Sequence, residues 1–586
     1  MGLLQRTSRA GARLAARLPA WLTAALGAVV GVLGAVLVLR PFLSLGALIV
    51  LLAAALILQG VAELLRAERP WAALLAALGW MAAGVLVLAL PALTIAGLTI
   101  IVGVALIAGG GANALRALQG ERDHRVAELL LGIASVVLGV LALTWPDVTV
   151  LVLAAVLGIR MLLFGIDLLV TGIRRARERG SDASARPART LARGWVRTTG
   201  AALALVACAA LLLVSITLSG TPRPDAFYTA PADVPAEPGQ LLRSEPFDRT
   251  VPDGAHASRI LYTTTTHDGA ATTASAIVVE PDTEGEHPVI AWAHGTTGYA
   301  TGCAPSLLAE PFVAGAMPGL DAALAEGWAI VATDYAGLGT DGPQPYLVGE
   351  GEGRSVLDAV RAAQQLDGHR LAAATVLWGH SQGGHAALWA AGMASSYAPE
   401  LELLGVAAMA PATDLPAFLD GMADSVLGAV FGSFALAAYA DAYADVERDA
   451  YVRPGARILL QEMERRCLTD LGTLVSLATS IVADQPVWAQ APGGGALGER
   501  AAENVPTLPI GMPVLLAQGG SDSLITPAIQ DAYVAARCAE GQSIDYRTYA
   551  GYDHMGVVTG DSPLLPELRA WSADRFAGAP AAAGCG

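Results

Sequence analysis

The sequence contains no lysine among its 586 residues, and only 15% of its residues are charged. The missing lysine accompanies abundant Ala, Gly, Arg and Val, a bias typical of GC-rich genomes that carries no functional information. Basic patches with interleaved aromatic residues are also missing, and aromatic residues make up 6% of the chain. Because such patches form the surface that binds nucleic acid, we exclude DNA and RNA as partners.

Cysteine is scarce, with five residues, and none of them has the spacing of metal ligands. We therefore predict no metal and no cofactor. Cys208 lies inside an apolar stretch, whereas the other four cysteines lie in the C-terminal half, an even number that is typical of disulfides in an oxidising compartment. Four cysteines allow three pairings, and we favour Cys303 with Cys467 and Cys538 with Cys585.

Apolar residues are abundant and charge is unequally divided. The chain is 54% hydrophobic with a mean hydropathy of +0.51, too apolar for a soluble protein. Residues 1–200 carry 19 Arg against 9 acidic residues, while the remainder carries 17 Arg against 43. The basic part is typical of membrane loops and the acidic part of a soluble domain.

Long apolar stretches predict an N-terminal all-α, polytopic membrane domain. Each stretch has about 20 residues, the length that crosses a hydrocarbon core of about 30 Å. We predict six spans in three hairpins, followed by a seventh span after an Arg-rich loop; the approximate ranges are 20–39, 42–64, 71–90, 93–115, 127–145, 148–172 and 198–220.

The hairpins repeat along the sequence. Trp21, Pro41, Gly60, Glu63 and Arg66 recur fifty positions later as Trp71, Pro91, Gly110, Asn113 and Arg116. This layout resembles the six-span HdeD-like membrane family over residues 20–175. Arginines gather on one side of the spans, so the positive-inside rule predicts a cytoplasmic N-terminus and an extracytoplasmic location for everything after Gly220.

A few polar residues interrupt the predicted spans. They are Glu63, Asn113, Arg160 and Asp167. Charges inside a membrane commonly mark transport or sensing sites, although Arg160 and Asp167 lie two turns apart on one helix face and could simply pair with neighbours. A sensor or transport module therefore remains an alternative.

After a Pro-rich linker at 221–250, the pattern changes to strands that alternate with helices. The predicted strands are Ala274–Val279, Val289–Ala293, Ala329–Thr333, Thr375–Trp378, Leu404–Met409, Val514–Gln518 and Asp545–Tyr549. Such alternation predicts a mostly parallel sheet with helices on both faces. In these sheets, active groups follow the carboxyl ends of strands.

The segment Gly-His-Ser-Gln-Gly has the form of a nucleophile elbow, in which a strand turns sharply into a helix. Gly379 and Gly383 would let strand and helix approach each other, while Ser381 would occupy a strained turn. Asp522 and His554 follow two later strands. The order Ser, Asp, His is that of α/β-hydrolases, so we predict these three as a catalytic triad.

Two further features complete the predicted site. The Gly-rich turn after the strand ending at Ala293 would supply one oxyanion-hole amide, from Thr296 or Thr297, and Gln382 would supply the other. Asp553 is a rival for the acidic member, although it is adjacent to the histidine. We interpret His380 and His385 as packing residues.

The C-terminal half resembles the secretory lipase family of fungal lipase A-like enzymes. The resemblance rests on Ala332–Gly339, Pro345–Gly349, Gly353–Asp358 and the elbow, and it covers residues 225–575. It implies an α/β-hydrolase that acts on acylglycerols or shorter carboxylic esters. It also implies a helical cap inserted after the nucleophile strand, which residues 413–505 fit.

These observations predict a lipase or carboxylesterase anchored in the plasma membrane and acting on lipids or small esters at the outer face. Alternatives are a peptidase or acyltransferase on the same scaffold, or a sensor whose hydrolase domain only binds ligand. The predicted boundaries are a membrane domain at 1–175, a cytoplasmic loop at 176–197, the seventh span at 198–220, the linker at 221–250, and a hydrolase domain at 251–578 with its cap.

Overall fold

The computed structural model of the chain divides into two compact units. One comprises Met1–Leu218, Arg453–Glu462 and Ala478–Val487, and the other comprises Ser219–Val452, Met463–Leu477 and Trp488–Gly586. The structure describes residues 19–39, 53, 57, 70–89, 91–119, 122–177, 193–218, 221–482, 487–581 and 584–585.

The described part of the N-terminal 218 residues is helical. Its helices are α1 (Ala20–Leu39), α2 (Pro70–Ala89), α3 (Pro91–Gln119), α4 (Arg122–Thr144), α5 (Pro146–Arg177) and α6 (Arg193–Leu218). Proline begins α2, α3 and α5, where its missing N–H costs no helical hydrogen bond.

Glycines allow two pairs of these helices to pack closely. α1 packs against α5, and a Cβ added to Gly27 would lie 2.4 Å from the main-chain nitrogen of Leu169. α3 packs against α4, and a Cβ added to Gly110 would lie 2.5 Å from the carbonyl oxygen of Gly132. Close backbone approach stabilises helix pairs in lipid, where the hydrophobic effect does not drive helices together.

Four segments of the described residues are long and apolar enough to cross a membrane: Gly97–Leu115, Val126–Thr144, Pro146–Arg174 and Thr199–Leu218. Only 17–28% of the residues in these segments are buried within the protein, so most of their apolar side chains face outward. The predicted spans at 20–39 and 71–90 correspond to α1 and α2. The predicted span at 42–64 lies outside the described residues apart from Ala53 and Ile57, so the number of spans stays a prediction.

The second unit is built on a nine-stranded sheet with the order β1-β2-β3-β5-β4-β6-β7-β8-β9. The first three strands and β5 pair antiparallel, whereas β5, β4, β6, β7, β8 and β9 pair parallel. The strands are β1 (Leu241–Phe247), β2 (Ala255–Thr265), β3 (Ala271–Pro281), β4 (His287–Ala293), β5 (Ala329–Thr333), β6 (Leu371–His380), β7 (Leu403–Met409), β8 (Val514–Gly519) and β9 (Asp545–Tyr549).

Helices cover both faces of this sheet, as the sequence predicted. They are α7 (Pro311–Ala314), α8 (Leu320–Ala325), α9 (Gly349–Ala363), α10 (Gln382–Tyr397), α17 (Pro527–Ala539) and α18 (Leu564–Phe576). Successive residues of the central strands enter opposite cores: Leu377 of β6 packs with α9 and α10, whereas Trp378 packs with α18. The near-continuous apolar strands are therefore buried on both sides.

The predicted helical insertion lies between β7 and β8. It contains α11 (Leu415–Met422), α12 (Val426–Ala442), α13 (Arg448–Tyr451), α14 (Arg457–Glu464), α15 (Thr473–Val482) and α16 (Gly495–Glu503). We call residues 413–505 the cap.

Two disulfides are present, Cys303–Cys467 and Cys538–Cys585, which are the pairings favoured from the sequence. Both sulfur atoms of the first pair are in fully buried residues, and the pair joins the segment after β4 to the cap. Cys208, in α6, is free.

The predicted linker at 221–250 needs correction, because much of it is part of the second compact unit. Its Tyr228 is buried and its hydroxyl lies 2.9 Å from Ser306 Oγ, while β1 forms the edge of the sheet. The strands β1 and β2 were not predicted. Strand formation depends on pairing partners and packing more than on local propensity, and composition alone indicated a tether where β1 forms.

Candidate active site

The turn between β6 and α10 holds Ser381 in a strained conformation. Its φ is 56° and its ψ is −118°, a region that residues with a side chain rarely adopt. The Ser381 N–H donates to the carbonyl of Met409, on the neighbouring strand β7, at 2.9 Å. This anchored turn holds the serine where β6 ends and α10 begins.

The two predicted elbow glycines make this turn possible. A Cβ at Gly379 would lie 2.0 Å from the carbonyl oxygen of Gly383, and a Cβ at Gly383 would lie 1.9 Å from that of Ala293. No side chain fits at such distances. Glycine at these positions therefore allows β6, α10 and the end of β4 to come into backbone contact.

A chain of two hydrogen bonds joins Ser381, His554 and Asp522. His554 Nε2 lies 2.9 Å from Ser381 Oγ, and His554 Nδ1 lies 2.8 Å from Asp522 Oδ2. Because the carboxylate accepts the Nδ1 proton, Nε2 has a free lone pair for the serine hydroxyl. Ser381, His554 and Asp522 follow the carboxyl ends of β6, β9 and β8. These parallel strands end on the same side of the sheet, which brings the three residues together.

Asp522 is fixed by donors on its own loop and on β8. The N–H groups of Leu524 and Ile525 donate to Oδ1 at 2.8 and 2.9 Å, and Gln518 Nε2 donates to Oδ2 at 3.1 Å. These bonds hold the carboxylate in one orientation toward His554. Asp553, the rival in sequence, instead accepts the N–H of Gly556 at 2.7 Å and caps the following turn.

His380, the residue before Ser381, contacts both the main chain and the ring of His554. Burial, together with the nearby His554 ring, lowers the pKa of His380 to about 3, so its ring is neutral. Its Nε2 donates to the His554 carbonyl at 3.0 Å, and the two ring centroids are 4.9 Å apart. His380 is thus a packing residue that also positions the main chain of His554.

The predicted oxyanion residues lie on the elbow and on the turn after β4. Thr297 Oγ donates to the carbonyl of Cys303 at 2.8 Å, and Thr296 Oγ lies 3.1 Å from the Tyr346 hydroxyl. Within the described residues, the main-chain N–H groups of Thr296, Thr297 and Gln382 donate to no acceptor. They are available to a ligand, whereas the N–H of Gly295 is used by the Gly315 carbonyl at 3.0 Å.

A buried polar network that the sequence analysis missed fixes Gln382. Its side chain donates to Glu352 Oε1 at 2.7 Å, and Glu352 Oε2 lies 3.0 Å from His385 Nδ1. His385 Nε2 donates to the carbonyl of Asn504, at the end of the cap, at 2.8 Å. The side chains of Glu352 and His385 are both fully buried. We call Glu352, Gln382, His385 and Asn504 the elbow network.

A second buried carboxyl group lies behind the oxyanion turn. Burial raises the pKa of Asp334 to about 6, while hydrogen bonds from Ser275 and Ser306 oppose the rise. The Asp334 main-chain carbonyl lies 3.3 Å from His294 Nε2. Sequence reasoning missed both Asp334 and Glu352 as site residues; for Asp334, the available signal was its position directly after the predicted strand Ala329–Thr333.

The cap packs against the oxyanion turn through aromatic rings. Phe434 of α12 is fully buried, and its ring centroid lies 5.9 Å from that of Tyr346, whose hydroxyl contacts Thr296. Phe434 also stacks on Tyr299, with centroids 6.3 Å apart. An apolar surface of the cap therefore lies beside the candidate site.

The strand order, the elbow and the chain of hydrogen bonds define an α/β-hydrolase fold. The crystal structure of Candida antarctica lipase A shares this fold, with a TM-score of 0.51 and 21% sequence identity over 62% of this chain and 87% of that chain. The predicted fold class, an all-α apolar N-terminal part followed by an α/β-hydrolase with a cap, is thus confirmed.

Family comparisons match both halves of the chain. Residues 315–584 match the secretory lipase family, and residues 75–131 and 130–185 each match a short repeat of unknown function, DUF308. Both resemblances noted from the sequence are confirmed for these residues.

Two sequence relatives cover the hydrolase part. A probable inactive lipase of Mycobacterium tuberculosis is 29% identical over 387 residues, which is 61% of this chain and 83% of the relative. A secreted triacylglycerol lipase of Malassezia globosa is 28% identical over 413 residues, which is 64% of this chain and 86% of the relative.

Replacement of Gly383 by alanine tests the role of backbone contact at the elbow. We expect Gly383→Ala to lower the free energy of unfolding by about 4 kcal/mol or more, because the new Cβ meets the Ala293 carbonyl. Gly421→Ala, in α11 with open space around the added Cβ, is the matched control and should cost nothing. Denaturant unfolding followed by tryptophan fluorescence measures both; equal stability of the two variants would contradict the argument.

Proposed function

We propose that the protein is a membrane-anchored serine ester hydrolase, a lipase or carboxylesterase, with Ser381, Asp522 and His554 as its catalytic triad. The observation that carries the proposal is the pair of hydrogen bonds of 2.9 and 2.8 Å that links these residues. The secretory lipase match over residues 315–584 supports an ester as substrate.

In the acylation step, His554 Nε2 accepts the hydroxyl proton of Ser381 as Oγ attacks the ester carbonyl carbon. Asp522 stabilises the imidazolium that forms and holds it in the required tautomer. The C–O bond to the alcohol then breaks, and His554 returns the proton to the departing alcohol oxygen. The acyl group is left as an ester on Ser381.

In the deacylation step, water takes the place of the alcohol. His554 accepts a proton from the water, whose oxygen attacks the acyl-enzyme carbonyl, and the carboxylic acid leaves as Ser381 regains its proton. Both tetrahedral intermediates carry an oxyanion. The N–H groups of Gln382 and of Thr296 or Thr297 would donate to it, and removal of one such donor commonly costs about 10²–10³-fold in rate.

The elbow network has a defined part in this scheme. The Gln382 side chain donates to Glu352, and the main-chain N–H of the same residue has no protein acceptor among the described residues. An oxyanion hole works because its donors are already oriented before the reaction begins.

The cap supplies the apolar side of the proposed site. Phe434 lies against Tyr346 beside the oxyanion turn. Apolar residues next to the site and the secretory lipase match both support an apolar acyl group, so we infer that the substrate is an acylglycerol or another lipid-like ester.

One relative bears the name of a probable inactive lipase, and the name applies to that protein. In this chain, the residues proposed as nucleophile, base and acid are each within hydrogen-bond reach of the next. These contacts favour catalysis over the alternative of a ligand-binding module. The triad itself does not select the acyl acceptor, so assays must separate ester hydrolysis from peptide hydrolysis.

We also propose that the hydrolase unit lies outside the cytoplasm, with the N-terminus inside and the helices in the plasma membrane. The apolar segments and the DUF308 matches support the membrane, and the Arg-rich loop before α6 supports the orientation. Two disulfides in the hydrolase unit are consistent with an oxidising compartment.

Substitution of Asp522 and of Asp553 tests which aspartate is the acidic member of the proposed triad. Asp522→Asn should lower kcat for a p-nitrophenyl ester by about 10⁴-fold, because the histidine loses the acceptor that fixes its tautomer. Asp553→Asn should leave kcat near the wild-type value, since Asp553 only caps a turn. Steady-state kinetics of the two variants decide the assignment, and the reverse ranking would make Asp553 the acid.

Loss of the nucleophile tests the reaction class. Ser381→Ala should lower the rate of ester hydrolysis about 10³-fold or more, whereas Ser396→Ala, at the far end of α10, should behave as wild type. A series of p-nitrophenyl esters of increasing acyl length, run beside a peptide panel, identifies the substrate class. Activity retained in Ser381→Ala, or hydrolysis of peptides alone, would contradict the proposal.

Sidedness is tested on intact cells that produce the full chain. A membrane-impermeant fluorophosphonate probe should label the wild-type protein but not Ser381→Ala, because the probe reaches only extracytoplasmic serines. Labelling that appears only after the cells are lysed would place the hydrolase unit in the cytoplasm and would contradict the orientation while leaving the chemistry intact.

A further inference from the structure

Two histidines and a glutamate converge at a part of the sheet that the proposed reaction does not use. His256 is the second residue of β2 and is directly opposite Glu280 of β3 in the antiparallel register. His369 lies on the turn before β6. One nitrogen from each histidine and one oxygen of the glutamate all lie within 4.8 Å of one another.

This cluster lies at the edge of the sheet opposite the triad. Val279, beside Glu280 on β3, pairs with Ile330 near the start of β5, and His369 precedes the first residue of β6. Ser381 follows the last residue of β6. The length of a strand therefore separates the cluster from the candidate active site.

The three candidate ligand atoms lie close enough together to reach one metal ion. Glu280 Oε2 lies 3.6 Å from His256 Nε2 and is also in contact with His369 Nδ1. In a tetrahedral zinc site with bonds of about 2.0 Å, neighbouring ligand atoms lie about 3.3 Å apart. Small side-chain adjustments would thus bring all three atoms to one ion.

Each of the three residues has a second contact that orients its ligand atom. His256 Nδ1 lies 2.9 Å from Asp282 Oδ1, and Glu280 Oε1 accepts the N–H of Arg370 at 2.8 Å. His369 Nε2 lies 3.4 Å from Ser258 Oγ. A carboxylate on the far nitrogen of a histidine fixes its tautomer and is a regular feature of zinc sites.

Burial in the cluster is graded from inside to outside. The side chain of Glu280 is 2% exposed, that of His369 is 14% exposed, and that of His256 is 55% exposed. A buried carboxylate with two histidines toward solvent leaves an entry path and a position for water as the fourth ligand.

We propose that His256 Nε2, Glu280 Oε2 and His369 Nδ1 bind a zinc ion. This ion would link the start of β2 and the end of β3 to the segment before β6. Imidazole nitrogens select zinc over magnesium and calcium, which prefer oxygen ligands. The sequence analysis predicted no metal because it considered cysteine spacing, and these ligands come from three distant positions.

Zinc binding by the purified, tag-free, full-length protein in detergent tests the proposal. After chelator treatment and dialysis, the wild type should take up one Zn²⁺ per chain in competition with a chromophoric chelator, and Co²⁺ should give the visible absorption of a tetrahedral site. Mg²⁺ and Ca²⁺ at the same concentration should not compete.

Three variants make the test specific. His256→Gln should lose Zn²⁺ uptake, and Asp282→Asn, which keeps all three ligands, should weaken binding about 10–100-fold. His267→Gln, the same change at a histidine outside the cluster, should bind as wild type. Zn²⁺ should raise the Tm of the wild type and of His267→Gln but not that of His256→Gln.

Two outcomes would overturn the proposal. One is the absence of stoichiometric Zn²⁺ uptake by the wild type, which would leave the cluster as an ion-pair network only. The other is wild-type affinity in both His256→Gln and Asp282→Asn. Because Asp282→Asn removes no ligand, its affinity decides the question even if His256→Gln has a lower Tm without metal. Neither readout depends on ester hydrolysis.

Discussion

The contact of bare backbone at Gly379 and Gly383 is the constraint on which the hydrolase unit depends. A strand, a helix and the end of a second strand meet there at distances that no Cβ tolerates, and the strained Ser381 lies at their junction. Strain of this kind persists only when its surroundings over-determine it. The buried strands β4, β6 and β7 on either side supply that support through parallel pairing.

The elbow network extends the same junction into the cap. Glu352 of α9 and His385 of α10 are fully buried, and their contacts reach Gln382 on one side and the carbonyl of Asn504 on the other. The hydrogen bonds of this network specify one arrangement of the elements that they join, and Gln382 Oε1 is a buried atom of the network that has no partner among the described residues. The cap is therefore positioned by hydrogen bonds at the elbow and by the Cys303–Cys467 disulfide at the oxyanion turn.

The N-terminal helices differ from the hydrolase unit in where their apolar side chains lie. In the hydrolase unit, apolar side chains are buried on both faces of a sheet, whereas the apolar residues of the candidate spans mostly face outward. The described helix pairs rely on glycine contacts such as Gly27 with Leu169 and Gly110 with Gly132. Glycine thus serves close packing in both halves, at the strained turn around Ser381 in one and between helices in the other.

Local signals allowed the sequence by itself to determine much of this protein. A strand, a Gly-x-Ser-x-Gly turn and a helix lie within a dozen residues, and the order of Ser381, Asp522 and His554 after successive strands can be read along the chain. The apolar stretches and the seven predicted strands, β3 to β9, are likewise local patterns of period and length. Only the tertiary structure decided the rest: that β1 and β2 complete the sheet, that Glu352 and His385 meet beneath the elbow, and that His256, Glu280 and His369 converge. Those contacts join residues that are distant along the chain and carry no shared local pattern, so they exist only once the sheet has brought its strands together.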